Sequence, residues 1–139
     1  MHCVIHIDGG ARGNPGPAGA GVVVQQTDGD VLHEGGYFLG RITNNHAEYR
    51  GLLIALGVAQ DLGAEAIQVY SDSELLVRQI NGQYRVKAEN LKPLFKEAVQ
   101  RLGGFGKWAV EHVRREKNQR ADQLANMAMD LKEDVIVTG

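Results

Sequence analysis

Two aspartates stand directly after apolar segments, at positions where their carboxylates can be brought together. Asp8 follows the apolar run 4–7, and Asp72 comes two residues after the run 66–70. If both runs are parallel, neighbouring strands, the two carboxylates emerge at the same carboxyl edge of a sheet. Open α/β sheets bind their ligands at that edge. The pair therefore indicates a ligand-binding or catalytic site there.

Two further acids lie near the starts of predicted helices. Glu48 and Asp122 each stand four residues after an asparagine, Asn44 and Asn118, with which a helical pattern begins. Side chains in early helical turns lean back toward the N-terminus, so both acids can reach over a helix end toward the sheet edge. Glu48 also lies on the apolar stripe of its helix, four residues before Leu52, where an unpaired carboxylate is unfavourable.

Each of these acids also has a purely structural explanation. An acid near a helix N-terminus complements the helix dipole. Residues 71–74 fit a capping box, which would make Asp72 an ordinary first-turn acid, and Asp8 before two glycines fits a turn. The position of Glu48 on an apolar stripe is not explained in this way. The four acids taken together therefore favour a shared site.

Clustered carboxylates repel one another and need a cation. Oxygen ligands with open coordination positions suit Mg²⁺ or Mn²⁺. The five histidines are scattered and there is one cysteine, so the sequence does not indicate zinc. Two Mg²⁺ ions about 3.5–4 Å apart can activate a water and stabilise the leaving oxygen of a phosphodiester. We expect two Mg²⁺ ions per site, for which Mn²⁺ can substitute.

The elements that position the acids follow from the hydrophobic pattern. The first three strands are predicted at 4–7, 19–26 and 31–40. The glycine- and proline-rich segment 9–19 excludes a helix, and Asp28-Gly29 is typical of a hairpin turn. The opening is therefore predicted to be an antiparallel meander.

Helices and strands alternate over the rest of the chain. A strand reached through a helix tends to lie parallel to its neighbour, by a right-handed crossover. We therefore predict an α/β fold with a five-stranded mixed sheet, three antiparallel strands then two parallel ones, flanked by helices. Residues 1–132 form the domain, and 133–139 form a tail that is either disordered or an edge strand. The predicted helices are 44–62, 71–80, 91–102 and 118–131, and the later strands are 66–70 and 108–113.

Composition and charge narrow the function. The 139 residues are 43% hydrophobic and 23% charged, as in an ordinary globular domain. No apolar run approaches the roughly 20 residues that span a bilayer, and the single cysteine, Cys3, favours a reducing cytoplasm. The net charge is −2, but residues 78–120 carry eleven basic residues against four acids. This basic segment is either a surface beside the acidic site or a solvated helix face.

Five short segments of the chain form a specific set, although each alone is weak. They are IDGG at 7–10, GNPGP at 13–17, TNNHAE at 43–48, SDS at 71–73 and NQRADQLA at 118–125. Together they resemble ribonuclease H of type I, because they occur in the order and spacing of that family over residues 3–129. The resemblance implies the ribonuclease H-like fold and Mg²⁺-dependent endonucleolytic hydrolysis of the RNA strand of RNA/DNA hybrids, leaving 5′-phosphate and 3′-hydroxyl ends.

The resemblance also implies roles for individual residues. The catalytic, metal-binding carboxylates would be Asp8, Glu48, Asp72 and Asp122. The side chains that contact the minor groove of the hybrid would be Asn14, Asn44 and Asn45, and Thr43 would contact a DNA phosphate. Glu48 would also lie near a 2′-hydroxyl, the group that distinguishes RNA from DNA.

Two departures from the well-known bacterial enzymes indicate a compact, archaeal-like branch. Those enzymes carry a basic protrusion with several tryptophans, for which the segment 83–90 is too short. They also have a histidine loop before the last carboxylate, whereas residues 112–118 run straight into the helix. In place of that histidine, Arg115 is the predicted substrate contact and Glu116 the alternative accessory residue; His112 is less favoured.

Three hypotheses follow, and the first is preferred. It is a monomeric endonuclease specific for RNA/DNA hybrids. The second keeps the chemistry but extends the substrate to double-stranded RNA. The third is a hybrid-binding module with a decayed site, which the presence of all four carboxylates disfavours.

Overall fold

The structure is a computed structural model that describes residues 1–139. It contains six strands, four α-helices and one 3₁₀ turn. In chain order these are β1 (His2–Ala11), β2 (Gly16–Gln26), β3 (Val31–Ile42), α1 (Asn44–Asp61), β4 (Ala66–Ser71), α2 (Glu74–Ile80), α3 (Lys92–Leu102), β5 (Lys107–His112), the 3₁₀ turn (Arg115–Lys117), α4 (Gln119–Leu131) and β6 (Val135–Thr138).

The strands form one mixed sheet in the order β5-β4-β1-β2-β3-β6. The predicted antiparallel meander β1-β2-β3 and the parallel pairing of β1 with β4 are confirmed. The sheet has six strands rather than five, because the tail pairs antiparallel with β3 along Glu34–Gly36. The side chain of Asp134 supports this pairing by accepting a hydrogen bond from the backbone N–H of Phe38 (2.8 Å). Four residues are too few for a period-2 pattern to distinguish an edge strand from a free tail.

Helices cover both faces of the sheet. On one face α1 packs over β1 and β2, and α3 packs against α1. The core there joins Ile5 and Ile7 of β1 to Leu52 and Leu56 of α1, all fully buried. On the other face α4 crosses β2 and β3. None of the helices has the length and hydropathy needed to cross a bilayer.

Helix α1 forms close to its predicted limits. Its apolar stripe, which includes Leu52 and Ala55, is fully buried. Thr43 is the N-cap and its Oγ1 accepts a hydrogen bond from the N–H of His46 (3.2 Å). The helix ends at Asp61, one residue earlier than predicted. This cap fixes where Glu48 lies relative to the sheet edge.

The structure excludes the alternative explanation of Asp72 as the first-turn acid of a capping box at 71–74. The N-cap of α2 is Ser73, whose side chain accepts a hydrogen bond from the N–H of Leu76. Ser71 is fully buried and its Oγ accepts from the N–H of Ser73 (3.0 Å), which turns the chain away from β4. Helix α2 therefore starts at Glu74, three residues later than predicted, and Asp72 lies at the sheet edge rather than in a helical turn.

Two glycines let helices approach Asp8 from opposite faces. Gly9 follows Asp8 in β1, and a Cβ there would lie 2.5 Å from the backbone carbonyl of Ala47 in α1. Gly21 is paired with Asp8 across β1 and β2, and a Cβ there would overlap the carbonyl oxygen of Ala121 in α4. Only glycine permits such close backbone contact. Glu48 follows Ala47 and Asp122 follows Ala121, so this close packing places both acids near Asp8.

Candidate active site

Three carboxylates converge at the carboxyl edge of the parallel strands. Carboxylate oxygens of Asp8, Glu48 and Asp72 all lie within 4.8 Å of one another. The register that pairs Ile7 with Ser71 brings Asp8 beside Asp72, as expected from the parallel arrangement. Asp122 lies outside this group of three but lines the same cleft.

Burial and repulsion shape the electrostatics of Asp8. This side chain is 9% exposed. Its burial and the repulsion from Asp72, together with hydrogen bonding and repulsion at Asp122, raise the pKa of Asp8 to about 8. Without a cation, the Asp8 carboxyl therefore keeps its proton to a much higher pH than an ordinary aspartate.

Glu48 is the member of the cluster with the least satisfied side chain. Burial, followed by repulsion from Asp8 and Asp72, holds its pKa well above the usual range. A hydrogen bond from the backbone N–H of Gly9 and the charge of Arg115 act in the opposite direction. The Oε2 atom is buried and has no hydrogen-bond partner. An unpartnered carboxylate oxygen in such a position is costly unless a cation occupies the site.

This donor set fits a divalent metal ion. The carboxylates offer only oxygen atoms, and Glu48, whose Oε2 is buried without a partner, lies beside the like charges of Asp8 and Asp72. A divalent cation would remove the repulsion that raises the pKa values of Asp8 and Glu48. The chemistry of the ligands suits a hard cation rather than zinc.

The asparagines expected to contact substrate are grouped around the start of α1, where Asn44 lines the cleft. Asn44 Oδ1 accepts a hydrogen bond from the N–H of Ala11 (2.7 Å), and Asn14 Oδ1 accepts from the N–H of Asn44 (3.1 Å). These two bonds join the glycine-rich loop to the start of α1. Asn45 is exposed next to them. Asn14, Asn44 and Asn45 are thus placed together, with Thr43 adjacent as the helix cap.

Of the residues proposed in place of the histidine loop, Arg115 lies on the cleft. It is on the 3₁₀ turn, and its charge acts on Glu48. Glu116 and His112 are both exposed and do not line the cleft. The geometry therefore favours Arg115 over the other two, and its role remains a prediction.

Two cleft residues were missed by the sequence reasoning. Arg12 extends from the end of β1 to α4, where it pairs with Asp130 (2.6 Å) and donates to Asn126 Oδ1 (3.1 Å). Asn126 in turn donates to the backbone carbonyl of Asp122 (2.9 Å). The spacing of Asn126, four residues after Asp122 on the same helix face, was the available signal.

Part of the basic segment lines a second groove. It runs along the connection between α2 and α3, and Tyr84, Arg85 and Lys87 line it together with Asn45. Tyr84 is 47% exposed and its ring lies against the guanidinium of Arg78, 5.2 Å from the ring centroid. We call this the Tyr84 groove. Because Asn45 lines this groove and is one of the asparagines predicted to contact substrate, part of the basic segment lies beside that predicted contact.

The fold and the site define the class of protein. A family model described as reverse transcriptase-like matches residues 6–128. The crystal structure of RNase H1 from the halophilic archaeon Halobacterium salinarum superposes with a TM-score of 0.91 and 42% identity, covering 94% of this chain and 98% of that chain. The domain is therefore ribonuclease H-like. The chain belongs to the type I ribonuclease H family.

Other relatives are similar to this chain over most of its length. The bifunctional protein Rv2228c of Mycobacterium tuberculosis is 47% identical over 131 residues, and Ribonuclease HI of Halobacterium salinarum is 43% identical over 125 residues. The chain spans 36% and 63% of the lengths of these two relatives. LC11-RNase H1, whose structure was solved in complex with an RNA/DNA hybrid, matches with 43% identity and a TM-score of 0.89, covering 94% of this chain and 98% of that chain.

Proposed function

We propose that this chain is an endoribonuclease that hydrolyses the RNA strand of RNA/DNA hybrids by a two-metal-ion mechanism, leaving 5′-phosphate and 3′-hydroxyl ends. The observation that carries the proposal is the convergence of Asp8, Glu48 and Asp72 within 4.8 Å, with Asp122 facing the same cleft. The hybrid seen in the structure of the 43% identical LC11-RNase H1 supports the choice of substrate.

The four carboxylates would hold two Mg²⁺ ions, or Mn²⁺ in their place. Asp72 and Asp122 both lie close to Asp8, so Asp8 would hold metal together with either of them. When bound, the ions supply activation of the attacking water and stabilisation of the departing 3′-oxygen. The protein contributes fixed geometry, which Gly9 and Gly21 secure by allowing α1 and α4 to pack beside Asp8.

The asparagines are suited to the minor groove of the hybrid. Asn14 and Asn44 use their amide oxygens for internal hydrogen bonds, which leaves both NH₂ groups free to donate. The minor groove presents base acceptors and 2′-hydroxyls, which such donors recognise without reading sequence. Thr43 keeps its hydroxyl proton for a DNA phosphate, because its oxygen serves only as acceptor in the cap. Glu48 would lie near the 2′-hydroxyl at the cut.

The Tyr84 groove would hold the hybrid beyond the cleft. Arg85 and Lys87 supply charge for phosphates, and Tyr84 supplies an exposed aromatic face. Asn45 connects this groove to the minor-groove contacts. The groove takes the role that a basic protrusion plays in larger members of the family. We propose that the protein acts as a monomer in the cytoplasm, the compartment that the single free cysteine favours.

A cleavage assay on an end-labelled RNA/DNA hybrid tests the proposal. We expect cutting of the RNA strand with Mg²⁺ and with Mn²⁺, and none with EDTA. Duplex RNA, duplex DNA and single strands run alongside define the substrate, and cutting of duplex RNA would extend it as the second hypothesis states. A folded, metal-supplied protein that cuts no hybrid would reject the enzymatic proposal in favour of a binding module.

A further inference from the structure

Asn118 is a buried polar side chain that the chemistry above does not use. It is 1% exposed and stands at the N-cap position of α4. An asparagine there ordinarily accepts a hydrogen bond from an N–H of the first helical turn. In this protein the side chain makes no such bond. Its Nδ2 donates instead to the backbone carbonyl of Ile7 in β1, at 2.8 Å.

The hydrogen bonds of Asn118 join three segments that bring charge to the cleft. The side chain holds β1 at Ile7, the residue before Asp8. The backbone carbonyl accepts from the N–H of Asp122 (3.1 Å), and the backbone N–H donates to the carbonyl of Arg115 (2.9 Å). One residue therefore ties together the backbones that carry Asp8, Asp122 and Arg115.

Helix capping does not explain this arrangement. The side chain gives up the cap, and its Oδ1 is buried without any hydrogen-bond partner. A buried unpartnered oxygen is unfavourable. The arrangement does fix the start of α4 against β1 at the level of the carboxylates. One bond ends on the carbonyl of Ile7, the residue before Asp8, and the other comes from the N–H of Asp122 itself.

We propose that Asn118 is a positioning residue that sets the spacing of Asp8 and Asp122 and thereby the affinity of the site for divalent cations. The inference rests on the proposed function, in which these two carboxylates hold metal ions. Groups that orient metal ligands typically account for about 10–100-fold in metal affinity or activity. Without the bond to Ile7, α4 can shift along β1, and the carboxylates keep their charge but lose their spacing.

Asn118→Ala tests the proposal, with Asn81→Ala as the matched control. The control removes the same kind of bond, from an asparagine amide to a strand carbonyl, since Asn81 Nδ2 donates to the carbonyl of Val110 (2.9 Å) outside the cleft. For each protein we would measure the Mn²⁺ dissociation constant by calorimetry and the Mg²⁺ concentration that half-saturates cleavage. The rate at saturating metal and the unfolding temperature in EDTA would complete the set.

The two variants should separate metal affinity from stability. We expect Asn118→Ala to raise the Mn²⁺ dissociation constant and the half-saturating Mg²⁺ concentration about tenfold or more. The rate at saturating metal should recover to within a few-fold of the parent. Asn81→Ala should lower the unfolding temperature and leave both metal measurements unchanged.

Loss of stability with unchanged Mn²⁺ affinity in Asn118→Ala would overturn the proposal and leave a structural role only. If the alanine variant does not fold, Asn118→Ser is judged by the same criteria. Because calorimetry does not depend on cleavage, a parent that binds Mn²⁺ but cuts no hybrid rejects the proposed function while the affinities still decide the role of Asn118. A parent that binds no Mn²⁺ rejects both.

Discussion

At the scale of single residues, the raised pKa of Asp8 links protein stability to pH. Its pKa rises from 3.8 to about 8 in the folded, metal-free protein. Between these two values the folded state binds more protons than the unfolded state, so stability falls as the pH rises through this window. Metal binding needs ionised carboxylates, so it strengthens over the same range. Mg²⁺ should therefore raise the unfolding temperature more above pH 8 than below pH 6.

Asp8→Asn should separate stability from activity. The asparagine carries no charge at any pH, so the metal-free variant should be more stable than the parent above pH 8. Cleavage should fall on the order of 10³-fold, equivalent to several kcal/mol of barrier. Thermal unfolding in EDTA and the hybrid assay measure the two effects. Asp61→Asn, at the exposed end of α1, is the control and should change neither. An Asp8→Asn protein that cleaves like the parent would reject the carboxylate mechanism.

Individual site residues could be predicted from the sequence where a local pattern marked their position. Glu48 was predicted because a carboxylate interrupts an apolar stripe, and Asp72 because it follows a strand. Arg12 breaks no pattern, and its partner Asp130 is far away in the chain. The bond from Asn118 to Ile7 likewise spans 111 positions, so no local spacing predicts it.

At the scale of elements, close backbone packing at Gly9 decides whether α1 can deliver Glu48. Gly9→Ala should destabilise the protein by about 1–3 kcal/mol, the usual range for overpacking, because the new methyl meets backbone rather than a movable side chain. Cleavage should fall as well, since relief of the clash moves Glu48 away from Asp8. Denaturant unfolding and the hybrid assay measure both.

Gly57→Ala provides the contrast within α1. The nearest atom to a Cβ there is the end of the Arg101 side chain at 3.7 Å, so the methyl fits. Alanine in a helix interior is favoured over glycine by about 1 kcal/mol, and this variant should gain stability. Equal effects of the two substitutions would show that close approach at Gly9 is unimportant.

The Tyr84 groove gives a prediction about substrate grip. Lys87→Ala should weaken hybrid binding and lower the slope of log affinity against log salt by about one, because one phosphate contact is lost. The rate at saturating substrate should be nearly unchanged. Lys107→Ala, exposed at the start of β5, is the control and should alter neither quantity. Equal losses in both variants would indicate that the groove does not contact the substrate.

Element boundaries were predictable where one signal dominated. The apolar stripe and cap of α1 agree, and the predicted helix differs from the observed one by a single residue. At α2 two serines are candidates for the N-cap. Ser71 stands one position before Asp72 and three before Glu74, and Ser73 stands one position before Glu74. Burial of Ser71 in the sheet decides between them, and burial is a tertiary property that the local pattern does not contain.

At the scale of the whole molecule, the tail joins the sheet through few contacts. β6 pairs with β3 over Glu34–Gly36, and Ile136 and Val137 remain about half exposed. Residues 1–132 are proposed to form the functional domain by themselves. A chain ending at Lys132 should lose about 1–2 kcal/mol of stability, the order of one or two hydrogen bonds with modest burial. It should retain full cleavage activity.

Unfolding in denaturant and the hybrid assay test this truncation. Unchanged stability would exclude a structural role for the tail. Loss of cleavage at a temperature where the truncated chain is folded would show that the domain extends beyond residue 132.

The packing of α1 and α4 against Asp8 from opposite faces also bears on biosynthesis. β1 is synthesised well before α4, because Ile7 and Asn118, which join the two elements, are 111 positions apart in the chain. A ribosome-bound chain that has not yet released α4 lacks both Asp122 and the Asn118 bond. Such a nascent chain holds only part of the proposed set of four carboxylates, and the metal site that we propose is complete only after α4 has left the ribosome and packed against β1.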